Sequence, residues 1–460
     1  DLDAIDGIRK ITGLNPEILI AGRSAIENAI NKLYGTIKQS GEIESAISNI
    51  SVVSGDEDDS DEVDLSEENV SAEEAPFVKL VNLMLTQAIK EGSTDIHIEP
   101  GKTEVNIRIR VDGVLTKIMS PPITSLNGMI TRIKILSKLN IAEHRLPQDG
   151  RMKLKMGPKE IDVRVSILPT VHGEKGVLRL LGSGDKELNL SNLGFPDNKL
   201  TKFKKWINQP YGMIIISGPT GSGKSTTLYA ALQEIKSDTI NITTVEDPVE
   251  YQIPGINQIQ VHDAIGLSFS AALRSILRQD PDVLLIGEIR DQETADIAVK
   301  FSMTGHLVFS TVHANDAPST ISRLLDLGIP PFLLGSSLNL IMAQRLVRTI
   351  DPNEKEEDSP STEKLQRLGI AENANQMTFY KGRPTQQNHN TGYKGRTAIH
   401  EILEVNSSIR EMIFEGKSEF EIKDQAIKNG MTPLREAGID KIKEGVSTVE
   451  EILRATVEDN

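Results

Sequence analysis

The stretch GPTGSGKSTTLYAAL, residues 218–232, follows directly on the apolar run GMIIISG, residues 212–218. An apolar run, a glycine-rich turn and a series of good helix formers read as strand, loop and helix. The first eight residues satisfy G-x-x-x-x-G-K-[ST], the pattern of a phosphate-binding loop, so a nucleoside triphosphate such as ATP is the expected ligand. Gly218, Gly221 and Gly223 let the backbone curl until its N–H groups point at phosphate oxygens, helped by the N-terminus of the helix that follows. Lys224 is expected to reach the β- and γ-phosphates and Ser225 to ligate Mg²⁺, with Pro219, Thr220, Ser222 and Thr226 completing the loop.

Around this loop, between residues 198 and 349, the β-branched runs MIIIS, NITTVE, VLLIG and LVFSTV alternate with longer helical patterns. That alternation implies βαβ units and a mostly parallel sheet with helices on both faces, an α/β fold. DPDVLLIGEIRD (280–291) is an apolar strand ending in Gly287-Glu288, which sets a carboxylate at the carboxyl edge of the sheet where ligands of open α/β folds bind. Glu288 is expected to position Mg²⁺ or orient the attacking water. In TTVEDPVEY (243–251), Glu246 and Asp247 follow a strand and precede Pro248, as a further carboxylate group or as an ordinary polar turn. His306 in TGHLVFST and His313 in STVHANDAP flank another strand, which is expected to carry both to the same edge, where an imidazole can sense a γ-phosphate.

A chain of 460 residues is too long for one hydrophobic core, so two to four domains are expected. Without cysteine it holds no disulfide or thiolate metal site, which fits a reducing, cytoplasmic compartment. No stretch approaches the roughly 20 apolar residues of a membrane-spanning helix, and no signal peptide is visible. The chain begins at Asp1, so an N-terminal portion is expected to have been removed. Of the net charge of −15, eleven negative charges lie in residues 56–74, leaving about −4 for everything else. A basic stripe is missing, which argues against nucleic acid as a partner.

Residues 1–54 read as short helices with too little apolar mass to stand alone, and 55–74 as an acidic, disordered linker. From residue 75 a helical pattern gives way to period-two alternation in EVNIRIRVDG and KEIDVRVSIL, an α+β unit over 75–182 joined to the α/β core by a polar connector, 183–197. Residues 350–396 are polar and loop-like, and 397–460 close the chain in a small helical region.

The four stretches 218–225, 242–251, 280–291 and 303–316 resemble, in order and spacing, the Walker A motif, Asp box, Walker B motif and His box of the secretion ATPase superfamily that powers type II secretion and type IV pili. GSTDIHIEP, RVDGVL, IAEHRLPQDGR, VRVSILPT and GEKGVLRLL are similar to the PAS-like domain that precedes the RecA-like P-loop core in that family, and the resemblance runs from residue 75 to 456. It implies that Glu246 and Glu288 handle water and Mg²⁺, that His306 and His313 lie near the γ-phosphate, and that Arg151, Arg164 and Arg179 reach the phosphates. It further implies a homohexameric motor, peripheral to the inner membrane, that drives an inner-membrane platform protein with cytoplasmic accessory proteins. The pilus-assembly branch is the best match, type II secretion the alternative, and a retraction ATPase or DNA translocase less favoured. Cyclic di-GMP is implied only for the part that precedes residue 1. Relatives carry two Cys-x-x-Cys pairs after the His box; by that register their four zinc ligands are here Asp351, Glu354, Thr385 and Asn388, a poor tetrahedral set, and no structural zinc is expected.

Overall fold

The computed structural model describes residues 50–53, 75–156, 159–181 and 189–456; the expectations for residues 1–49, 54–74 and 182–188 lie outside the described residues. The described residues divide into two compact units, one of those up to Ile109 with Lys117–Leu180, the other of Arg110–Thr116 with those from Leu181 onward.

In the first unit period-two alternation becomes sheet. Strands β1 (Ile50–Val53), β2 (Asp95–Pro100), β3 (Val105–Val111), β4 (Val114–Met119), β5 (Gln148–Met156), β6 (Lys159–Thr170) and β7 (Gly173–Leu181) assemble in the order β1-β5-β6-β7-β2-β3-β4. Every second residue is buried: Val105, Ile107 and Ile109 on β3; Met152 and Leu154 on β5; Ile161, Val163, Val165 and Ile167 on β6. One apolar face thus results, as successive side chains point to opposite sides of a strand. Helices α1 (Ala75–Lys90) and α2 (Leu126–Leu136) bury Val81, Met84, Leu85 and Ala88, and Met129, Ile130 and Ile133, at helical spacing.

The second unit is an α/β sheet. After α3 (Asp197–Ile207), strand β8 (Gly212–Ser217) leads through the glycine-rich loop into α4 (Lys224–Ile235). There follow β9 (Ile242–Glu246), β10 (Asn257–Gln260), α5 (Phe269–Ile276), β11 (Val283–Ile286), α6 (Gln292–Met303), β12 (Leu307–Val312), α7 (Ala317–Asp326), α8 (Pro331–Ser337) and β13 (Leu338–Ile350). The order is β10-β9-β11-β12-β8-β13-β16, and every pair is parallel except β13 with β16 (Tyr393–Glu404). All six residues of β8 are buried, because apolar cores lie on both faces of the sheet: Phe203, Leu228 and Leu232 face Ile214 and Ile216 on one side, and Ala298, Phe301 and Leu334 lie with Met213 and Ile215 on the other. That double cover is why the central strands read as unbroken apolar runs.

β16 departs from expectation. The boundary placed at residue 397 falls inside this strand, whose buried run from Ala398 to Leu403 carries no alternation to separate strand from helix. The polar insertion folds as a ribbon of β14 (Lys355–Asp358) and β15 (Phe379–Gly382) with α9 (Thr362–Leu368), and the chain closes on α10 (Ser407–Phe414), α11 (Glu419–Lys428), α12 (Leu434–Lys443) and α13 (Val449–Ala455).

Candidate active site

The loop between β8 and α4 takes its shape from its glycines. Gly218, Gly221 and Gly223 have φ of 150°, 78° and 85°, values that side chains other than glycine resist. A Cβ on Gly223 would lie 2.8 Å from Gln344 Nε2, and one on Gly218 would lie 2.6 Å from the Gln344 carbonyl. Within this cradle Ser222 Oγ is buried and has no hydrogen-bond partner among the described residues. Lys224 Nζ donates to the carbonyls of Gly218 (2.8 Å) and Pro219 (3.0 Å), so its ammonium is folded over its own loop. Burial pulls the Lys224 pKa down, against the favourable field of Glu288. Ser225 and Thr226 are exposed in the first turn of α4. Glycine backbone, helix N-terminus, one lysine and an exposed hydroxyl fit a nucleotide phosphate with Mg²⁺.

Register brings the next groups to this edge. Val312 pairs with Ser217 and Ile286 with Ser310, so the segments following β11 and β12 emerge beside the loop that follows β8. Glu288 and His313 stand there, His313 Nε2 3.6 Å from Glu288 Oε2. The other Glu288 oxygen is bound by Arg290, a residue the sequence reading passed over although it stands two positions from the carboxylate in GEIRD. The ion pair with Glu288 raises the Arg290 pKa.

Two residues are placed otherwise than expected. His306 precedes β12 and His313 follows it; six residues of strand separate them by about 20 Å. The His306 carbonyl accepts from the N–H of Gly212, at the start of β8, and its ring lies edge-on to Phe301 with Nδ1 3.1 Å from the Phe301 carbonyl. It thus sits at the edge of the sheet opposite the phosphate loop. Glu246 is buried and its carboxylate turns inward: Tyr229 of α4 donates to one oxygen, and Thr244 (2.6 Å) and Gln258 (3.3 Å) donate to the other. Burial, reinforced by Glu246, pushes the Tyr229 phenol far up, which keeps it a proton donor. In this arrangement Glu246 fastens α4 to β9.

The three arginines belong to the first unit. Arg151 on β5 is directly opposite Arg164 on β6, two like charges on one rung, whereas the neighbouring rungs join Lys153 to Asp162 and Lys155 to Glu160. Like charges directly opposite each other are unfavourable as a pair. Arg179 Nε donates to Asp95 Oδ1 at 2.9 Å.

The four positions of the zinc register come together but do not fit a metal. Asn388 and Asp351 are buried, and Asn388 Nδ2 donates to Asp351 Oδ2 (3.3 Å) and to the Arg383 carbonyl (3.0 Å). Asn388 Oδ1 accepts from the N–H groups of Thr385 (2.8 Å) and Gly392 (3.1 Å), and Glu354 is held by Arg383 at 2.6 Å. Asp351, Glu354 and Asn388 are engaged in these contacts, and none of the four side chains is a thiolate, so the set does not fit a tetrahedral zinc. A chelator such as EDTA is therefore expected to leave the unfolding midpoint of the nucleotide-free protein unchanged, checked by a thermal melt with and without it; a fall of several degrees would show that a metal holds this ribbon.

Comparison with known proteins places these features. Residues 70–454 match the family model described as type II/IV secretion system protein. The chain is 45% identical to the type IV pilus assembly ATPase PilB of Myxococcus xanthus, over 99% of this chain and 81% of that protein. It is equally 45% identical to the type II secretion system protein E of Xanthomonas campestris, over 98% and 79%. Among solved structures, the Legionella pneumophila ATPase DotB superposes with a TM-score of 0.61 at 21% identity, covering 81% of this chain and 94% of that one. The pilus retraction motor PilT with bound ADP gives 0.56 at 25% identity, covering 82% and 96%. The fold is that of the RecA-like secretion ATPases.

Proposed function

The chain belongs to the type II/IV secretion system protein family, and from that premise we propose that it is a Mg²⁺-dependent ATPase motor that works as a homohexamer and powers type IV pilus assembly. The observation that carries the reading is the convergence of Lys224, Glu288 and His313 at one sheet edge around a glycine loop shaped for phosphate.

In the reaction, water attacks the γ-phosphorus, the bond to the β,γ-bridging oxygen breaks, and ADP and phosphate leave. Lys224 exchanges its two loop carbonyls for phosphate oxygens, a charge-assisted contact stronger than the one it gives up. Glu288 orients the water, and His313, beside it, is placed to respond to the γ-phosphate. Mg²⁺, held by Ser225 and Glu288, supplies neutralisation of phosphate charge when bound. Arg151, Arg164 and Arg179 are the cations of the first unit that this reading assigns to phosphate, and Arg179 would exchange its contact with Asp95 for it. Coupling runs from hydrolysis to an inner-membrane platform protein and its cytoplasmic accessory proteins, through which the motor attaches to the membrane from the cytoplasmic side. Among the described residues no helix is long and apolar enough to cross a membrane. Type II secretion is the second reading, favoured by the equal identity to the Xanthomonas protein.

The test is steady-state ATP hydrolysis over a protein concentration series, with Arg151→Ala alongside. Specific activity is expected to rise with assembly and to fall about tenfold or more in the variant. Activity that is absent, or independent of concentration and of Arg151, counts against the motor. Co-purification with a pilus platform protein or a type II secretion platform protein decides between the two cargoes.

A further inference from the structure

Strand β13 lies behind the phosphate loop. It pairs in parallel with β8, Ala343 opposite Ser217, so the next residue, Gln344, arrives where β8 ends and the loop begins. Gln344 is 1% exposed, and its amide is used at both ends. Nε2 donates to the carbonyl of Ser222, within the loop, at 2.8 Å; Oε1 accepts from Thr227 Oγ1, in the first turn of α4, at 2.8 Å. The same residue limits the loop sterically, since its carbonyl and Nε2 are the atoms a Cβ at Gly218 and at Gly223 would strike. The next side chain along the strand, Arg345, donates through Nη2 to the carbonyl of Asn315, two residues beyond His313, at 2.6 Å.

From this we infer that Gln344 is a positioning residue for hydrolysis: its buried amide clamps loop and helix in the shape that receives the phosphates. The inference rests on the ATPase reading above. Three glycines between residues 218 and 223 give the loop much conformational freedom to lose, and N–H groups bind phosphate only when aimed together. Two hydrogen bonds from one buried side chain, one on each side of the Gly223 turn, supply that order before the ligand arrives. The Gln344 amide is buried and spent on loop and helix, so the clamp acts on nucleotide affinity more than on the chemical step.

The test compares Gln344→Met, which keeps length and volume but makes no hydrogen bond, with Thr227→Val, which breaks the same contact from the helix side, and with the double variant. KM for ATP is expected to rise about tenfold in Gln344→Met with kcat within about threefold, and the affinity for a fluorescent ADP analogue to weaken in parallel. The double variant is expected to lose no more than Gln344→Met alone, because both changes break one clamp. A Gln344→Met protein whose unfolding midpoint falls while KM stays within twofold of wild type overturns the inference and leaves a purely structural glutamine. If Gln344→Met fails to fold, Thr227→Val reads the contact, and an unchanged KM there overturns it equally. A wild-type protein that binds the analogue without turning over ATP refutes the ATPase reading and leaves the clamp to be judged on the binding constants; one that binds no nucleotide refutes both.

Discussion

Replacing Glu288 by glutamine is expected to lower kcat for ATP hydrolysis about 100- to 1,000-fold while nucleotide binding stays within a fewfold of wild type. The side chain ends the apolar strand β11 at the edge shared with the phosphate loop, only 14% exposed, with one oxygen facing His313 Nε2 at 3.6 Å and the other bound by Arg290. Glutamine keeps this shape and one acceptor oxygen. It removes the negative charge that orients water and that the Arg290 guanidinium balances. Binding survives because the phosphates are met by the loop backbone and Lys224, which the substitution does not touch. The measurement is a kcat and KM pair set beside equilibrium binding of a fluorescent ATP analogue. Turnover within tenfold of wild type would remove Glu288 from the chemistry; lost turnover with binding lost in proportion would make it a ligand of the nucleotide only.

Glu288 was readable in the sequence because strand, turn and carboxylate are contiguous there, and a carboxylate at the end of a central parallel strand has one place to go. The loop was readable for the same reason: its glycines, lysine and hydroxyl form one local pattern. His306 falls elsewhere because a strand carries the residues that flank it to opposite ends, so nearness along the chain is not nearness at an edge. Glu246 shows a different limit. A carboxylate closing a strand can face ligand or core, and what turns it inward is Tyr229, a partner on helix α4 17 residues earlier. Gln344 lies 122 residues from the loop carbonyl it holds, in the stretch MAQRL, which has no signal of its own. The zinc-register positions show the reverse case. Asp351, Glu354, Thr385 and Asn388 read as a poor zinc set from their residue types, but that Asn388 hydrogen-bonds to Asp351 depends on how the ribbon closes.

Glu246→Ala should separate the anchoring role that the structure gives this residue from the water-handling role that the family resemblance implied. Alanine leaves the buried Tyr229 and Thr244 hydroxyls without their acceptor, whereas the partly buried Gln258 amide keeps the Tyr251 carbonyl. Each stranded donor costs about 1–3 kcal/mol, and since the two hydroxyls share one acceptor their costs do not add fully, so the second unit is expected to lose about 2–4 kcal/mol of unfolding free energy. Tyr229→Phe deletes one donor and leaves the carboxylate with the other two, so its loss is expected to be smaller, about 1–2 kcal/mol. Denaturant unfolding checks both values. Turnover then distinguishes the roles. Tyr229→Phe retains the Glu246 carboxylate and loosens only the tie between α4 and β9, and Glu246→Gln keeps one acceptor oxygen while removing the charge. If Glu246 anchors, both variants turn over ATP within about tenfold of wild type at temperatures where they remain folded, and the loss of activity follows the loss of stability. If Glu246 handles water, Glu246→Gln falls at least 100-fold while Tyr229→Phe does not, a split that stability cannot produce and that would require the carboxylate to leave its three donors during the cycle.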